Sequence, residues 1–429
     1  MRKHFLSSGI GLLAMSFIAS AYADDPAATD MTVARPTIFT LSGFGTVGVV
    51  QTNTNNGLYT TGAQTNGATK TADFTPDSKF GAQVDAKFNP DFSATVQAFS
   101  HQNAIGSYEP DIEWAFGKIK MGGGFDLRLG RMGAPFFMSS DFRNVGYTNV
   151  SVRTPSDVYE SVPVRSYDGG DILYQGSYGE TTFNSQLWLG RAQTLNGQDA
   201  HIWLHNIVGL NLSAENGPVT VRAGHMKTRL GTSGSGLAGF NTLLGGLNTF
   251  GQLPGLSSLA TTSDELAINN KYATFTGVGM TVDLTDWILN TEWTKRKTES
   301  IYIPDITAWY ATLGYRISKF TPYVSFSSRQ VNTATSVPTP AVPTSYPLVV
   351  QGTVPVLLAA ANGLVTDQSE KTSALGVRWD AGSNYDVKAE FQQIRVPAGS
   401  TGVFKNVQGG AYSVNTNVNV FSLCVDFVF

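Results

Sequence analysis

The sequence is poor in cysteine, in charged residues and in long apolar runs. Cys424 is the only cysteine among 429 residues, so an intramolecular disulfide is excluded. Charged residues make up 14% of the chain, well below the roughly 25% of soluble domains. The formal net charge is −3 and basic residues form no cluster, which argues against nucleic acid as a partner. No long helix with heptad or 3.6-residue apolar spacing is evident, so we expect none.

The amino terminus has the pattern of a secretory signal peptide. A short basic stretch at residues 1–4 precedes a mostly apolar run at 5–20 and the small-residue sequence Ala21-Tyr22-Ala23. The apolar run is shorter than the roughly 20 residues of a membrane-spanning helix. We therefore predict a signal peptide at 1–23 and a polar leader at 24–37. Cleavage would remove Arg2 and Lys3 but no acid, which leaves a formal net charge of −5.

Aromatic residues and glycine are abundant, and the carboxyl terminus shows how they are arranged. Aromatics make up 11% of the chain and glycine supplies 45 residues. From 421 to 429, every odd position is bulky and apolar, whereas Cys424 and Asp426 lie at even positions. Because side chains of a strand alternate between two faces, one face of this segment is apolar and the other is not. This pattern predicts a strand between an apolar phase and water.

Similar alternation recurs along the chain and predicts sixteen strands. An even number is what single-chain bacterial membrane barrels contain. The predicted strands are 38–50, 79–89, 91–101, 110–121, 125–131, 170–177, 181–192, 202–214, 218–229, 270–282, 286–297, 305–317, 320–330, 371–380, 385–396 and 417–429.

The connections alternate between tight turns and long segments. The tight ones contain turn-forming residues, such as Asn89-Pro90-Asp91 and Gly122-Gly123-Gly124. The long ones are 51–78, 132–169, 230–269, 331–370 and 397–416. An up-and-down transmembrane barrel has short turns at one end and long loops at the other. We therefore predict an all-β, antiparallel, sixteen-stranded transmembrane barrel over residues 38–429.

A closed barrel satisfies its backbone hydrogen bonds within the membrane, and sixteen strands enclose a space too wide for wall side chains to fill. The segment 132–169 is the candidate to enter that space, because its aromatics and prolines argue against disorder. We expect the large aromatics of the strands to face outward and to contribute to interfacial girdles: Trp114, Trp287, Trp293, Trp309, Tyr315 and Trp379.

The chain resembles the sixteen-stranded trimeric porins of Gram-negative outer membranes. The resemblance covers the signal peptide, the first-strand sequence at 41–45, Gly130-Arg131 at the end of the fifth strand and the terminal Phe429. It implies that 132–169 is the constriction loop and that Phe429 is the signal read by the outer-membrane assembly machinery. It also implies a homotrimer embedded in outer-membrane lipid.

The charged residues of the predicted loop depart from the family pattern. General porins commonly carry an acidic Pro-Glu-Phe-Gly motif facing an arginine ladder, whereas Pro135-Phe136-Phe137 stands here. Our candidates for the pore constriction are Arg128, Arg131, Asp141, Arg143, Arg153, Asp157, Glu160, Arg165 and Asp168. Our candidates for the lumen wall are Lys87, Glu113, Arg222, Arg296, Arg316, Arg329, Arg378 and Lys388.

Two interpretations of the loop arginines remain open. They pair with neighbouring carboxylates and make the loop rigid, or they expose guanidinium groups to passing anions. Fixed charges at a constriction select ions by sign. We therefore predict passive diffusion of small hydrophilic solutes and ions with a mild anion preference.

The alternative within transport is a channel dedicated to small aromatic or dicarboxylic acids. Four tyrosines in the neighbourhood of arginines would supply rings for such a site, and the guanidinium groups would grip the carboxylates. These are Tyr147, Tyr159, Tyr167 and Tyr310.

Other motifs favour simpler explanations. The sequence at 43–48 matches G-x-G-x-x-G, but a strand rather than a helix follows it, so we do not expect a nucleotide site. Asp168-Gly169-Gly170-Asp171 is more typical of a turn than of a calcium loop. His201 and His205 would lie too far apart on a strand to share a metal.

We expect no cofactor, no metal and no enzymatic activity, because no histidine has a catalytic signature beside it. A purely structural barrel or an adhesin is a further alternative, and absence of conductance would favour it.

The long segments 230–269 and 331–370 contain many leucines, prolines and valines. Solvated loops do not require so many apolar residues. We expect the two segments to pack on each other or on neighbouring chains.

Overall fold

The computed structural model describes residues 38–195 and 199–429, which form a closed antiparallel β-barrel. The predicted signal peptide and leader lie outside the described residues. Each strand pairs with its neighbours in sequence, and β1 pairs with β16 to close the barrel. The predicted fold class is confirmed.

All sixteen predicted strands are present, and their ends differ from the prediction by at most four residues. The largest differences are the start of β6 and the end of β9, where backbone pairing extends over residues 166–169 and 230–233. The strands are β1 Phe39–Thr52, β2 Lys79–Lys87, β3 Phe92–His101, β4 Asp111–Gly122, β5 Phe125–Gly133, β6 Ser166–Tyr178, β7 Thr181–Leu195, β8 His201–Asn216, β9 Val219–Ser233, β10 Tyr272–Asp283, β11 Trp287–Thr298, β12 Ile306–Tyr315, β13 Phe320–Val331, β14 Glu370–Trp379, β15 Tyr385–Val396 and β16 Thr416–Val428.

Alternation along each strand separates an apolar outer face from a polar inner face. On β16, Phe421 is 59% exposed while Asp426 is fully buried. On β1, Leu41 is 66% exposed while Thr46 is buried and donates a hydrogen bond to Asp426. Exposed apolar side chains can face lipid, and the opposite polar face is therefore the inner one.

The expected outward aromatics are confirmed with one exception. Trp287, Trp293, Trp309, Tyr315 and Trp379 are 38–47% exposed on the outer face. The prediction for Trp114 was wrong. A bulge between β3 and β4 shifts the register, so that Gln97 pairs with Trp114 and Ala98 with Ile112. The extra residue reverses the faces of this part of β4, as bulges do, and Trp114 points inward near Phe116, at 6.4 Å between ring centroids.

The barrel closes where β1 meets the carboxyl terminus. Gly43 and Phe429 exchange two backbone hydrogen bonds, at 2.9 and 3.0 Å. The Phe429 ring lies over Gly43, where an added Cβ would come within 2.2 Å of the ring, and it stacks on Phe80 with the centroids 6.2 Å apart. The missing side chain of Gly43 therefore makes room for the terminal ring.

The expectation of no long helix was wrong for two loops at the long-loop end. The structure has a short helix α1, Ser156–Tyr159, and three longer ones: α2 Ala238–Gly251, α3 Ser257–Leu266 and α4 Leu348–Leu364. Leu243, Leu247 and Leu259 pack with Val354 and Leu358 in one buried cluster. The two loops therefore pack on each other, as the apolar composition predicted, and helices allow them to bury leucines while satisfying their backbone.

In the described part of the chain, none of the helices combines the length and apolar character required to cross a membrane.

Candidate functional site

The segment 134–165, between β5 and β6, lies against the polar face of β9 to β16 and β1. Arg378 of β14 donates hydrogen bonds to the carbonyl oxygens of Tyr147 and Asn149, at 2.6 and 2.9 Å. Lys388 of β15 donates to the carbonyl of Gly146 at 2.7 Å. A Cβ on Gly146 would come within 1.8 Å of Asp426, so glycine is needed for this close approach. These contacts fix the middle of the loop to the wall.

Two arginines of the wall hold the two ends of the same segment. Arg222 of β9 donates to the carbonyls of Pro135 and Phe136. Arg296 of β11 donates to the carbonyl of Ser161. Wall cations predicted to face the lumen therefore bind backbone carbonyls of the loop. Because each guanidinium donates from two or more of its nitrogens, few of its donors remain for a solute.

Arg153 joins the loop to three other parts of the barrel. It forms a two-bond ion pair with Asp77, at 2.8 and 2.6 Å, and lies 3.4 Å from a carboxylate oxygen of Glu390. It also donates to Ser422 of β16 and to the Tyr59 hydroxyl. All five side chains are buried or nearly so. This arrangement matches the interpretation of loop arginines as rigid ion pairs.

The helix α1 is anchored by a second polar contact. Asp157 accepts a hydrogen bond of 2.6 Å from Ser327 of β13. Burial raises the pKa of the Asp157 carboxyl, and the buried Glu370 lines the same small cavity of about 20 Å³. Arg329 is buried beside it and donates to Gln368 at 2.7 Å. Asp157 and Arg329 therefore belong to the packed side of the lumen.

An aromatic cluster replaces the acidic motif expected of general porins. Phe137 stacks on Tyr159 with centroids 4.5 Å apart, and both Phe136 and Phe137 meet Phe275 of β10 edge-on at 5.5 and 5.3 Å. Tyr310 of β12 is buried in the same cluster. Burial of these rings stabilises the loop against β10 and β12.

The other side of the segment borders a cavity. A cavity of about 440 Å³ lies between the loop and the ends of β2 to β7. Its charged and aromatic lining from the wall includes Lys79, Phe99, His101, Asp111 and Glu113. Its charged lining from the loop consists of Arg143, Arg153, Glu160 and Arg165. Most of these groups come from elements far apart in sequence.

Arg143 and Arg165 line this cavity without a carboxylate partner. In the part of the chain that the structure describes, neither guanidinium has a carboxylate oxygen within 4.0 Å. Arg143 donates to the carbonyl of Val164 at 3.2 Å. Arg165 lies over the Phe99 ring at 5.4 Å and 3.4 Å from Nδ1 of His101. The second interpretation of the loop arginines therefore fits these two residues.

Two carboxylates, Glu113 and Glu160, line the cavity together with these arginines. Glu113 is buried and accepts a hydrogen bond of 3.2 Å from Asn144. Burial raises the pKa of Glu160 above its ordinary value, in opposition to Arg329, Arg143 and Arg165. Arginine remains protonated at any physiological pH. With five basic and five acidic side chains in its lining, the cavity has no formal excess of charge, and protonation of Glu160 would make it positive.

Several predicted site residues lie elsewhere. Arg131 and Asp168 form an ion pair of 2.7 Å at the edge of the cavity, on the outward face of β5 and β6, since Met132 and Tyr167 next to them are buried inside. Arg128 faces inward and pairs with Asp171 below the loop.

Three further residues from the predicted sets are peripheral. Arg316 lies in the turn after β12 and pairs with Asp283 at 2.6 Å. Lys87 is exposed at the turn end of β2, and Asp141 is exposed on the loop. None of the three lines the cavity.

Lys79, Asp77 and His101 were not among the predicted site residues. Lys79 and His101 are register partners on β2 and β3, so they share the inner face. The alternation with the outward Phe80 predicts that Lys79 faces inward. The sequence does not indicate which part of the inner wall the loop leaves uncovered.

No family model matches the chain, and no curated protein matches it in sequence. Its fold is similar to that of solved porins. OmpF of Salmonella typhi, solved with daunomycin, is 11% identical with a TM-score of 0.53, covering 91% of this chain and 97% of that one. The outer-membrane channel DcaP of Acinetobacter baumannii is 9% identical with a TM-score of 0.51 and the same coverage. An anion-selective porin from Comamonas acidovorans is 12% identical with a TM-score of 0.50, covering 91% and 99%.

At these identities the comparison concerns the fold. The chain has the sixteen-stranded barrel of Gram-negative outer-membrane porins, as the resemblance predicted. The predicted outer-membrane location agrees with this barrel and its exposed apolar face.

Proposed function

We propose that the protein is an outer-membrane channel through which small hydrophilic solutes and ions diffuse passively, with a mild preference for anions. The segment 134–165 narrows the lumen from the side of β9 to β16, and solutes pass along β2 to β7. The observation that carries the proposal is the cavity of about 440 Å³ lined by the unpaired Arg143 and Arg165. Phe429 serves barrel assembly, and the channel works as a homotrimer.

The anion preference follows from the charges that are left without a partner. At a separation of about 4 Å, two unit charges interact by roughly 1 kcal/mol in water and about four times that near a protein surface. Two guanidinium groups that line the passage therefore act on a passing ion more strongly than distant loop carboxylates do. The preference is mild because Glu113 and Glu160 line the same cavity.

Conductance measurements test this proposal. The purified protein is reconstituted in a planar bilayer under a KCl gradient. Its reversal potential should have the sign expected when chloride is more permeant than potassium. Replacement of both arginines, Arg143→Gln with Arg165→Gln, should bring that potential toward zero. A cation-selective wild type would contradict the anion preference, and absence of conductance would contradict the channel.

A channel dedicated to small organic acids is the second candidate. One contact favours it, because Arg165 lies over the Phe99 ring beside Tyr159 in the cavity. The remaining tyrosines fit it poorly: Tyr167 is buried and bonded to Asp171, and the Tyr147 hydroxyl donates to the carbonyl of Ser383. Saturating block of chloride conductance by benzoate or succinate would favour this candidate over general diffusion.

A further inference from the structure

The outer face of β9, β10 and β11 changes from apolar to basic toward the long-loop end. Farther from the long loops, the outward residues Val221, Val278 and Trp293 of these strands are 40–50% exposed. Toward the long loop, each strand continues with charged or polar outward positions. Their neighbours in sequence, such as Met226 and Phe275, are buried in the core on the lumen side. Because side chains alternate along a strand, the residues between them point outward.

Lys227, Arg229 and Tyr272 form the first part of this basic surface. The Lys227 ammonium lies 4.1 Å from the centre of the Tyr272 ring, and the Arg229 guanidinium lies 4.9 Å from it. Arg229 also donates to the Tyr272 hydroxyl at 2.6 Å and to Asn270 at 2.7 Å. The ring therefore holds two cations side by side on the outside of the barrel.

Lys295 and Lys297 of β11 continue the surface. Thr274 of β10 is paired with Lys227 on one side and Lys297 on the other. Because neighbouring strands lie about 4.8 Å apart, the two lysine Cα atoms are roughly 10 Å apart. Two lysine side chains can span that distance onto one shared anion.

These four cations have no carboxylate within 4.0 Å among residues 38–195 and 199–429. Glu299 is the neighbouring acid, and it accepts a hydrogen bond of 2.8 Å from the backbone of Tyr272. At the turn end, outward positions of these strands include Trp287, β10 ends at Asp283, and the adjoining turn contains Asp286. The excess of positive charge is therefore confined to the long-loop rim.

We propose that Lys227, Arg229, Lys295 and Lys297 form a site for the phosphorylated headgroup of a membrane lipid. A lipid at this position would place its acyl chains on Val221, Val278 and Trp293 and its phosphates beside the four cations. Lysine and arginine bind phosphate oxygens through charge-assisted hydrogen bonds. The apolar part of this surface matches the acyl chains of an anionic lipid, and the basic part at the long-loop end matches its headgroup.

This inference rests on the membrane location in the proposed function, but not on conduction. Native mass spectrometry of the purified protein in lipid nanodiscs tests this inference. It compares the binding of diphosphorylated lipid A with the binding of the same lipid lacking both phosphates. The wild type should bind the diphosphorylated form preferentially. The variant Lys227→Gln with Lys297→Gln should bind it about tenfold more weakly, which corresponds to about 1.4 kcal/mol. The variant Lys227→Arg with Lys297→Arg should restore binding.

A matched control removes two exposed lysines at the turn end, Lys120→Gln with Lys319→Gln, and should leave lipid binding unchanged. Equal binding of both lipids, or unchanged binding by the first variant, would overturn the proposal. Competition by millimolar inorganic phosphate alone would assign the site to free phosphate instead. A changed oligomeric state in the first variant would make this surface a subunit interface. Conductance should be the same in all variants, so a failure of the channel proposal would be seen separately.

Discussion

The two sides of the lumen use the same residue type for opposite purposes. On the side of β9 to β16, Arg222, Arg296 and Arg378 donate to carbonyl oxygens of the loop. On the side of β2 to β7, Arg143 and Arg165 face the cavity and have no carboxylate partner among the residues that the structure describes. Arginine count along a sequence therefore does not indicate the charge that a solute meets. What matters is how many donors of each guanidinium already have an acceptor: Arg378 donates to two loop carbonyls and to Asp380, whereas Arg143 donates to one carbonyl, that of Val164.

The packed side should be the more sensitive to mutation, and Arg153 should show the largest effect. Arg153→Ala would leave Asp77 and Glu390 buried without their cation. Loss of one member of a buried ion pair costs about 3–5 kcal/mol. We expect a clear fall in the unfolding temperature in detergent, followed by circular dichroism.

The control for this variant is Arg191→Ala, because Arg191 is an exposed arginine on the outer face of β7. Its effect should stay within about 0.5 kcal/mol. Equal destabilisation by both variants would mean that Arg153 does not fix the loop.

Release of the loop from β14 should have the next largest effect. Arg378→Gln removes hydrogen bonds to Tyr147 and Asn149 and the contact with Asp386. Hydrogen bonds to charged groups contribute roughly 1–3 kcal/mol each, so their loss should loosen the loop. We therefore expect larger single-channel conductance and faster proteolysis near 142–150. Lys371→Gln, on the outer face of the same strand, should change neither quantity. Wild-type conductance in Arg378→Gln would count against a loop held by the wall.

The cavity side should respond in selectivity and not in stability. Arg143→Gln with Arg165→Gln should lower the chloride-to-potassium permeability ratio several-fold, because two fixed charges leave the passage. The unfolding temperature should change little, since no ion pair is broken. Arg395→Gln, which removes an exposed cation at the end of β15, serves as the control. A similar change of the ratio in the control would assign selectivity to the overall charge.

The smallest predicted effect is a pH dependence that originates at Glu160. Burial raises the pKa of this carboxyl, so it gains a proton at a higher pH than exposed carboxylates do. As pH falls from 7 toward 4.5, the passage loses a negative charge and its anion preference should rise. Glu160→Gln should show the higher preference already at neutral pH and lose this part of the pH dependence. An unchanged pH profile in the variant would exclude Glu160 as the titrating group.

The strands could be predicted from sequence because apolar and polar side chains alternate with a period of two residues in a barrel wall. The same rule would have placed Lys79 and His101 on the inner face. It failed for Trp114, because the bulge at Gln97 and Ala98 is a property of strand pairing and leaves no mark in composition. The helices α2 to α4 were missed although Leu243 and Leu247 lie four residues apart, because abundant glycine and proline indicated loops.

The division of the lumen could not be predicted. Alternation gives the face of Arg222 or Arg378 but not the carbonyl to which each donates, which lies 86 or 231 residues away in the chain. The position of the loop depends on tertiary contacts such as Phe137 with Phe275. Phe429 was predicted as an assembly signal, and its packing on Gly43 is compatible with that role, which remains a prediction.

The central claim is that solutes pass along β2 to β7 and not along β13 to β16. Cysteine accessibility tests it most directly in a Cys424→Ser background, which removes the only native thiol. His101→Cys lies on the cavity and Ser325→Cys on the buried face of β13. A charged methanethiosulfonate reagent should reduce single-channel conductance through His101→Cys and leave Ser325→Cys unchanged. Reduction through Ser325→Cys with an unaffected His101→Cys would contradict the account.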